Sequence, residues 1–442
     1  MYGVRTKMLD LLSNSRIDYW TEFLMDSQYW TKEQINSFQE ERFHMLIDHI
    51  MSHSPYYMNY CKEKGIRRED IKSLRDIKLF PIMRRKDISD NLSQLLADNS
   101  DKFYPSKRST GGTTGQPLVY YSDKESWSMG WALKLRDWSY SGYRLGEKMG
   151  VFAGGSLIPE AGFNLKRTIW NKITGFHPFP MAHYNDKAFS NALKHLLRNE
   201  IKYLRGYPTS LLSFAEYIKR TGENLPLNAI FATAEVLQEE HRTVIEEVFQ
   251  TKIFDQYGCA DSGGHASETP DDPGFHLSPE AAYCEYISKE TNYDGEEIVE
   301  LAFTNWHNFA MPILRYAPGD LASIEQRPSQ SGRNSDRLKR IIGRTTERIK
   351  LANGNVLAGP AFTLFFRLFE LNSYQLEQLS PLAIRVNLVP KLGFKDSDIH
   401  RIRENIIHHA GSDVNVEIII VNKIEPSASG KHKFIIALQE NK

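Results

Sequence analysis

Cysteine is almost missing from this sequence: Cys61, Cys259 and Cys284 are the only three among 442 residues, and none belongs to a CxxC pair. So sparse and odd a set offers no disulfide framework and fits a reducing compartment. Net charge is missing too. Lys plus Arg and Asp plus Glu both total 55, and with no basic run or stripe to track a phosphate backbone, nucleic acid is not an expected partner. No stretch reaches the roughly 18 apolar residues needed to cross a bilayer. The opening MYGVRTKMLDLLSNSRIDYW lacks the unbroken apolar core of a secretion signal. A cytoplasmic protein without a membrane span is expected. Internal repeats and low-complexity segments are also lacking.

What is present is ordinary globular material. The chain is longer than one hydrophobic core normally supports, so at least two domains are expected, and 41% apolar residues suffice for a buried core. Residues 1–100 carry helix-period apolar positions, as in Phe43, Leu46, Ile47 and Ile50, with loop signals at Ser54-Pro55 and Phe80-Pro81. From about 100 to 345, strand-like runs (117–121, 229–232, 251–254) alternate with helical patterns at 186–203, 209–220 and 237–250, which predicts a layered α/β domain. A polar stretch, 326–332, reads as a surface loop or hairpin approaching a boundary. Within 346–442, strands at 383–389, 414–421 and 434–438 flank a helix at 396–410, an order suited to a small α+β domain. The expected division is 1–343, its first 100 residues helical, and 344–442.

Five segments carry chemistry. Ser109-Thr110-Gly111-Gly112-Thr113-Thr114-Gly115-Gln116-Pro117 combines glycines, which admit phosphate oxygens close to backbone amides, with threonine hydroxyls; a flexible polar turn is the plainer alternative. It is not a Walker loop, because Gln116 stands where that motif needs Lys. Tyr257-Gly258-Cys259-Ala260-Asp261 follows a strand-like run and so lies where open α/β sheets bind ligands. Asp261 could ligate Mg²⁺ on ATP phosphates or simply cap a turn. Arg315-Tyr316-Ala317-Pro318-Gly319-Asp320 reads as a strand entering a Pro-Gly turn. Its carboxylate could accept ribose hydroxyls, or the segment could be turn chemistry alone. Residues 343–350 and 353–356 suggest a strand and hairpin at a domain border. Pro426-Ser427-Ala428-Ser429-Gly430-Lys431 is a small-residue loop presenting one Lys, which taken by itself is an ordinary solvated side chain.

In this order and spacing, the five resemble the adenylate-forming superfamily of acyl-CoA synthetases, adenylation domains and luciferases, over about residues 100–431. Ser54-Pro55-Tyr56-Tyr57, Arg205-Gly206-Tyr207-Pro208-Thr209-Ser210, Ala234-Glu235 and Glu268 followed by Gly274-Phe275-His276 are most similar to the phenylacetate–CoA ligase, coenzyme F390 synthetase and CapK-type branch. The resemblance implies a small mobile C-terminal domain, ATP and Mg²⁺ as requirements, and a carboxylic acid activated as its adenylate. It implies CoA as acyl acceptor. An amine or hydroxyl in surface-polysaccharide or specialised-metabolite biosynthesis is the alternative acceptor, and a non-catalytic nucleotide-binding relative is the second alternative. A homodimer is among the assemblies such a chain allows.

By the same resemblance, loop 109–117 holds the β- and γ-phosphates, and Ala234-Glu235 with Tyr257-Gly258 forms the adenine and acyl wall. Asp261 stands where the family usually has a Mg²⁺-binding Glu, Asp320 binds ribose, Arg344 meets the phosphate or ribose region, and Lys431 neutralises charge as the carboxylate attacks. Rotation about 344–347, where an acidic pair reads Thr346-Glu347, would serve the two half-reactions. Many members of the branch also carry cysteines that bind a structural zinc. Here the corresponding segments read Glu268-Thr269 through His276 and Ser329-Gln330-Ser331-Gly332-Arg333. Hydroxyls offer no thiolate and one His cannot hold the ion, so no structural zinc is expected. A rearranged site using Cys259 and Cys284 matches no zinc spacing.

Overall fold

The computed structural model describes residues 3–110, 118–153, 158, 165–180, 185–291, 296–344, 348–352, 356–358, 366, 369–425 and 433–438. Near the N-terminus, a capping box at Thr31 starts the helix Lys32–His53, whose periodic face buries Phe43, Leu46, Ile47 and Ile50 completely. Gly3–Ser13, Ile17–Ser27 and Pro55–Lys64 are also helical. This section does not stand apart. Phe43, Ile50 and Tyr57 share one core with Trp306, Met311 and Tyr316, and the Leu314 amide donates to the Tyr57 hydroxyl at 2.8 Å.

Eleven strands form a single mixed sheet. Phe176–Pro180, Met149–Ala153, Tyr203–Gly206, Ala229–Thr233 and Ile253–Cys259 lie side by side and run parallel. Met149–Ala153, Tyr203–Gly206 and Ala229–Thr233 are short, largely apolar runs buried on both faces, as inner strands of a parallel arrangement require. The helices Asp186–Arg198, Pro208–Thr221 and Glu239–Phe249 supply the crossovers and bury Phe189, Phe214 and Phe249 in one face's core. Helix Lys124–Ser139 packs Leu135 and Trp138 against the other. Beyond Cys259 the sheet turns antiparallel through Gly264–Thr269, Asp272–Leu277, Arg337–Arg344, Asp320–Ile324, Glu297–Asn305 and Ala282–Thr291.

Two expectations need correcting. The helix expected to reach 203 ends at Arg198, because Tyr203 already starts a central strand. No strand runs through 315–317 either: Tyr316 makes isolated bridges to Met83 and Phe303. Arg315 is at φ +50° and Pro318 has no amide to give a ladder, so the strand begins only at Asp320.

The C-terminal residues build a second, four-stranded sheet in the order Asn415–Ile420, Ala383–Pro390, Leu371–Ser380, Ile435–Ile436, with helix Asp396–Ala410 packed on it. Leu371–Ser380 escapes a simple reading because only alternate residues, Tyr374, Leu376 and Gln378, are buried, while Glu377 and Gln375 lower its strand character.

Candidate functional site

Gly206, Thr233 and Cys259 end neighbouring parallel strands on one side of the sheet, the side where α/β sheets open a crevice. A cavity of about 510 Å³ lies there, walled by these strand ends, helix Lys124–Ser139 and the antiparallel strands that carry Asp320 and Arg344. Gly206 lets the strands close up. A Cβ at that position would sit 2.3 Å from the Phe152 carbonyl oxygen.

Six of the sequence-derived residues meet at this cavity: Ala234, Glu235, Tyr257, Gly258, Asp320 and Arg344. Ala234 holds a left-handed backbone with φ +72°, a strained conformation for a residue with a Cβ, of the kind that clusters at functional sites. It directs Glu235 toward the start of helix Pro208–Thr221, where the carboxylate accepts the Thr209 hydroxyl at 2.7 Å and amide at 3.2 Å. Gly258 leaves space over the strand end, since a Cβ there would meet nothing within 4 Å.

Asp320 and Arg344 face each other in register across an antiparallel pair. The Arg344 Nε donates to Asp320 Oδ1 at 3.1 Å, and the Tyr257 hydroxyl donates to Oδ2 at 2.7 Å. Burial and the adjacent Asp320 carboxylate push the Tyr257 phenol far up, so it stays a proton donor. The Asp320 carboxylate keeps lone pairs beyond these two bonds for a ligand hydroxyl.

The remaining site residues behave differently. Asp261 is only 6% exposed and is not among the cavity-lining residues. Its carboxylate accepts the Cys259 thiol at 2.9 Å and lies beside the Tyr316 hydroxyl, and burial raises its pKa. In this structure the carboxylate is therefore engaged with its own turn rather than lining the cavity. Among the described residues, no group of three His, Cys, Asp or Glu is placed to hold a metal ion. Thr110 pins the base of its loop, its hydroxyl accepting the Leu118 amide at 3.1 Å while its own amide donates to the Leu118 carbonyl at 3.0 Å. Gly111, Gly112, Thr113, Thr114, Gly115, Thr346, Glu347 and Lys431 lie outside the described residues.

The cavity also contains residues to which the sequence reading gave no role: Arg108, Trp127, Trp131, Lys134 and Arg205. Trp127, Trp131 and Lys134 stand at i, i+4 and i+7 of helix Lys124–Ser139, a spacing that places them on one face. That periodicity was the available signal.

The segments aligned with the zinc frame form an ion-pair cluster. Arg337 donates to Asp272 at 2.8 Å, Arg333 to Asp271 at 3.0 and 3.1 Å, and Ser329 to Asp272 at 2.5 Å, with Ser331 2.9 Å from Ser329. His276 lies 3.3 Å from Asp272, its pKa pushed down to about 4 by burial against nearby Arg333 and Arg337. Cys259 and Cys284 are both free thiols.

A family model described as the CapK C-terminal domain matches residues 358–437. Protein CapK of Staphylococcus aureus is 23% identical over 413 residues, covering 90% of this chain and 88% of its own. Phenylacetate-coenzyme A ligase of Thermus thermophilus is 24% identical over 342 residues, covering 74% of each chain. Among solved structures, 2-hydroxyisobutyryl-CoA ligase in its postadenylation state superposes with a TM-score of 0.71 at 15% identity, covering 93% of this chain and 91% of the other. The mixed sheet, the strand-end cavity and these comparisons converge: the chain is similar along most of its length to protein CapK and to phenylacetate-coenzyme A ligase, and it has the fold of the solved CoA ligase.

Proposed function

We propose that this protein uses ATP to activate a carboxylic acid as an acyl-adenylate and then transfers the acyl group to CoA. The carrying observation is the convergence of Ala234, Glu235, Tyr257, Asp320 and Arg344, remote in sequence, on one cavity at the ends of the parallel strands. In the first half-reaction the substrate carboxylate attacks the α-phosphorus and the α–β phosphoanhydride breaks, with pyrophosphate leaving. In the second, the CoA thiolate attacks the acyl carbon and AMP leaves. Neither step needs a protein nucleophile.

The chain's own contribution is positioning and charge. Asp320 takes the ribose hydroxyls, with Tyr257 and Arg344 fixing its orientation, while Glu235 and Gly258 shape the adenine and acyl wall. Arg344 and Lys431 supply the fixed positive charge that brings an anionic acid to an anionic nucleotide, usually the largest catalytic term. Magnesium enters with the nucleotide, and the buried, turned-away Asp261 is assigned no step. Residues 1–343 act as the nucleotide- and acid-binding body, and 344–442 as a mobile lid that turns about 344–347 to exchange Lys431 for the acceptor face. The relative named phenylacetate-coenzyme A ligase and the neighbour captured after adenylation support this reading.

A second reading keeps adenylation and changes the acceptor to an amine or hydroxyl. It is favoured by the match of the small domain, the part that would face the acceptor, to the CapK model. Pyrophosphate release screened over aryl, fatty, hydroxy and amino acids tests both. Release that CoA converts into thioester supports the first reading, acid-dependent release that CoA leaves unchanged supports the second, and ATP binding without release under any acid refutes both.

A further inference from the structure

Lys134 and Arg205 both line the cavity. Lys134 reaches it from helix Lys124–Ser139 and Arg205 from the end of strand Tyr203–Gly206. Among the described residues, neither forms an ion pair. Lys134 Nζ donates to the Gly130 carbonyl at 2.7 Å and sits 5.3 Å from the Trp131 ring centre. The Arg205 guanidinium lies 5.3 Å over Trp138, its Nε is buried without a hydrogen-bond acceptor, and the residue is 6% exposed. Burial, then the Arg205 charge, pushes Lys134 down to about 7 against the opposing pull of Asp137, and burial pushes Arg205 down to about 10.

The acids nearby are committed elsewhere. Asp137 accepts from Arg136 at 3.4 Å and Gln256 at 3.1 Å and lies 3.1 Å from His265. Glu235 holds Thr209, and Asp320 holds Tyr257 and Arg344. Asp255 is driven toward its protonated form by burial and by Glu268. A cation held in a cavity wall without an ion pair is expensive, the more so for the buried Arg205, so the arrangement fits a site that an incoming anion completes. The same wall carries Trp127, Met129, Trp131 and Leu133. Such apolar surface suits an acyl body better than nucleotide phosphates.

We propose that the acid activated here carries a second anionic group, a distal carboxylate or its chemical equivalent, received by Lys134 and Arg205 while the first carboxylate reacts. The proposal rests on the adenylation reading for the fate of the first carboxylate. An acid with one charge cannot satisfy both ends of such a pocket.

The test uses matched probes: adipate against hexanoate, and 4-carboxyphenylacetate against phenylacetate. Pyrophosphate release should favour the doubly charged member of each pair by at least about tenfold in kcat/KM, the scale of one charge-assisted contact. Lys134→Met and Arg205→Met should each erode that preference, and together reverse it. In wild type the preference should fall as pH rises above about 7, where Lys134 loses its proton; in Lys134→Met that dependence should vanish. Equal or better use of the singly charged acids, or discrimination unchanged in both folded variants, overturns the proposal and leaves the ligase reading intact. Equilibrium dialysis of labelled adipate and hexanoate without ATP reads the pocket independently of turnover. Selective adipate binding that Lys134→Met abolishes supports the proposal even where no acid is activated, a result that would count against the ligase reading alone; equal binding of the two acids overturns it.

Discussion

Replacing Asp320 separates nucleotide recognition from fold maintenance. The residue is 7% exposed and already accepts Tyr257 and Arg344; under the adenylation reading it also accepts two ribose hydroxyls. Hydrogen bonds to a charged acceptor are worth about 1.5–3 kcal/mol each. Losing both costs about 3–6 kcal/mol, or about 10²–10⁴ in ATP affinity. Asp320→Ala should show that loss, and Asp320→Asn, which keeps the shape and one acceptor oxygen, should fall near its lower end. Alanine also strands the Tyr257 hydroxyl, at about 1–3 kcal/mol of stability, so the Ala variant should melt a few degrees lower yet stay folded. Tyr257→Phe is the control: it removes the internal donor without touching the ribose acceptor, and ATP affinity should stay within about threefold of wild type. Titration calorimetry with ATP on proteins of verified circular dichroism reads all three. Unchanged affinity in folded Asp320→Ala would remove Asp320 from the site.

Lys431→Ala should lower acyl-adenylate formation by at least about 100-fold while sparing transfer from supplied acyl-AMP; separate assay of the two half-reactions decides, and equal losses contradict the rotating lid. Arg337→Met leaves the buried Asp272 carboxylate without its ion pair and should destabilise the protein by about 3–5 kcal/mol in urea unfolding, with Asp272→Asn recovering part of the loss. Elemental analysis should find no stoichiometric zinc, and chelator should leave the melting temperature unchanged; tightly bound zinc whose removal unfolds the protein would refute this.

The parts of this molecule legible in the sequence are those governed by local rules. Helix Lys32–His53 follows from its periodic apolar face, and strand Ala229–Thr233 from a short apolar run. Asp320 and Arg344 were picked out separately by resemblance, and their direct contact emerges only when two strands pair in register. Direction is what the sequence withholds. Asp261 follows a strand end as expected, but the turn that contains it aims the carboxylate at Cys259 rather than into the cavity. Lys134 was passed over for a related reason. A lysine within WALKLRDW looks like a solvated charge, and only the packing of Trp131 and the Arg205 strand end around it makes it a cavity group. Its neighbour Arg136 shows the contrast, since it is buried yet paired with Glu280 and Ser278.

The segments that the resemblance aligns with a zinc frame are joined here by side-chain pairs. Four thiolate or imidazole ligands around a dication would make a closed, charge-compensated knot between the loops near 271 and 331. Here the same two loops are joined by Arg333 on Asp271 and Arg337 on Asp272, with Ser329 completing the Asp272 carboxylate. Burial first, then Arg333 and Arg337, hold the His276 pKa near 4 against the opposing pull of Asp272 and Asp271. The two arginines and two aspartates therefore balance without a metal. A zinc ion placed among them would meet the repulsion of Arg333 and Arg337 and would have to displace hydrogen bonds that already engage Asp271 and Asp272. The clasp also differs in what it responds to. A thiolate site fails on oxidation or chelation, whereas this one answers to replacement of its paired charges, Arg333 with Asp271 and Arg337 with Asp272.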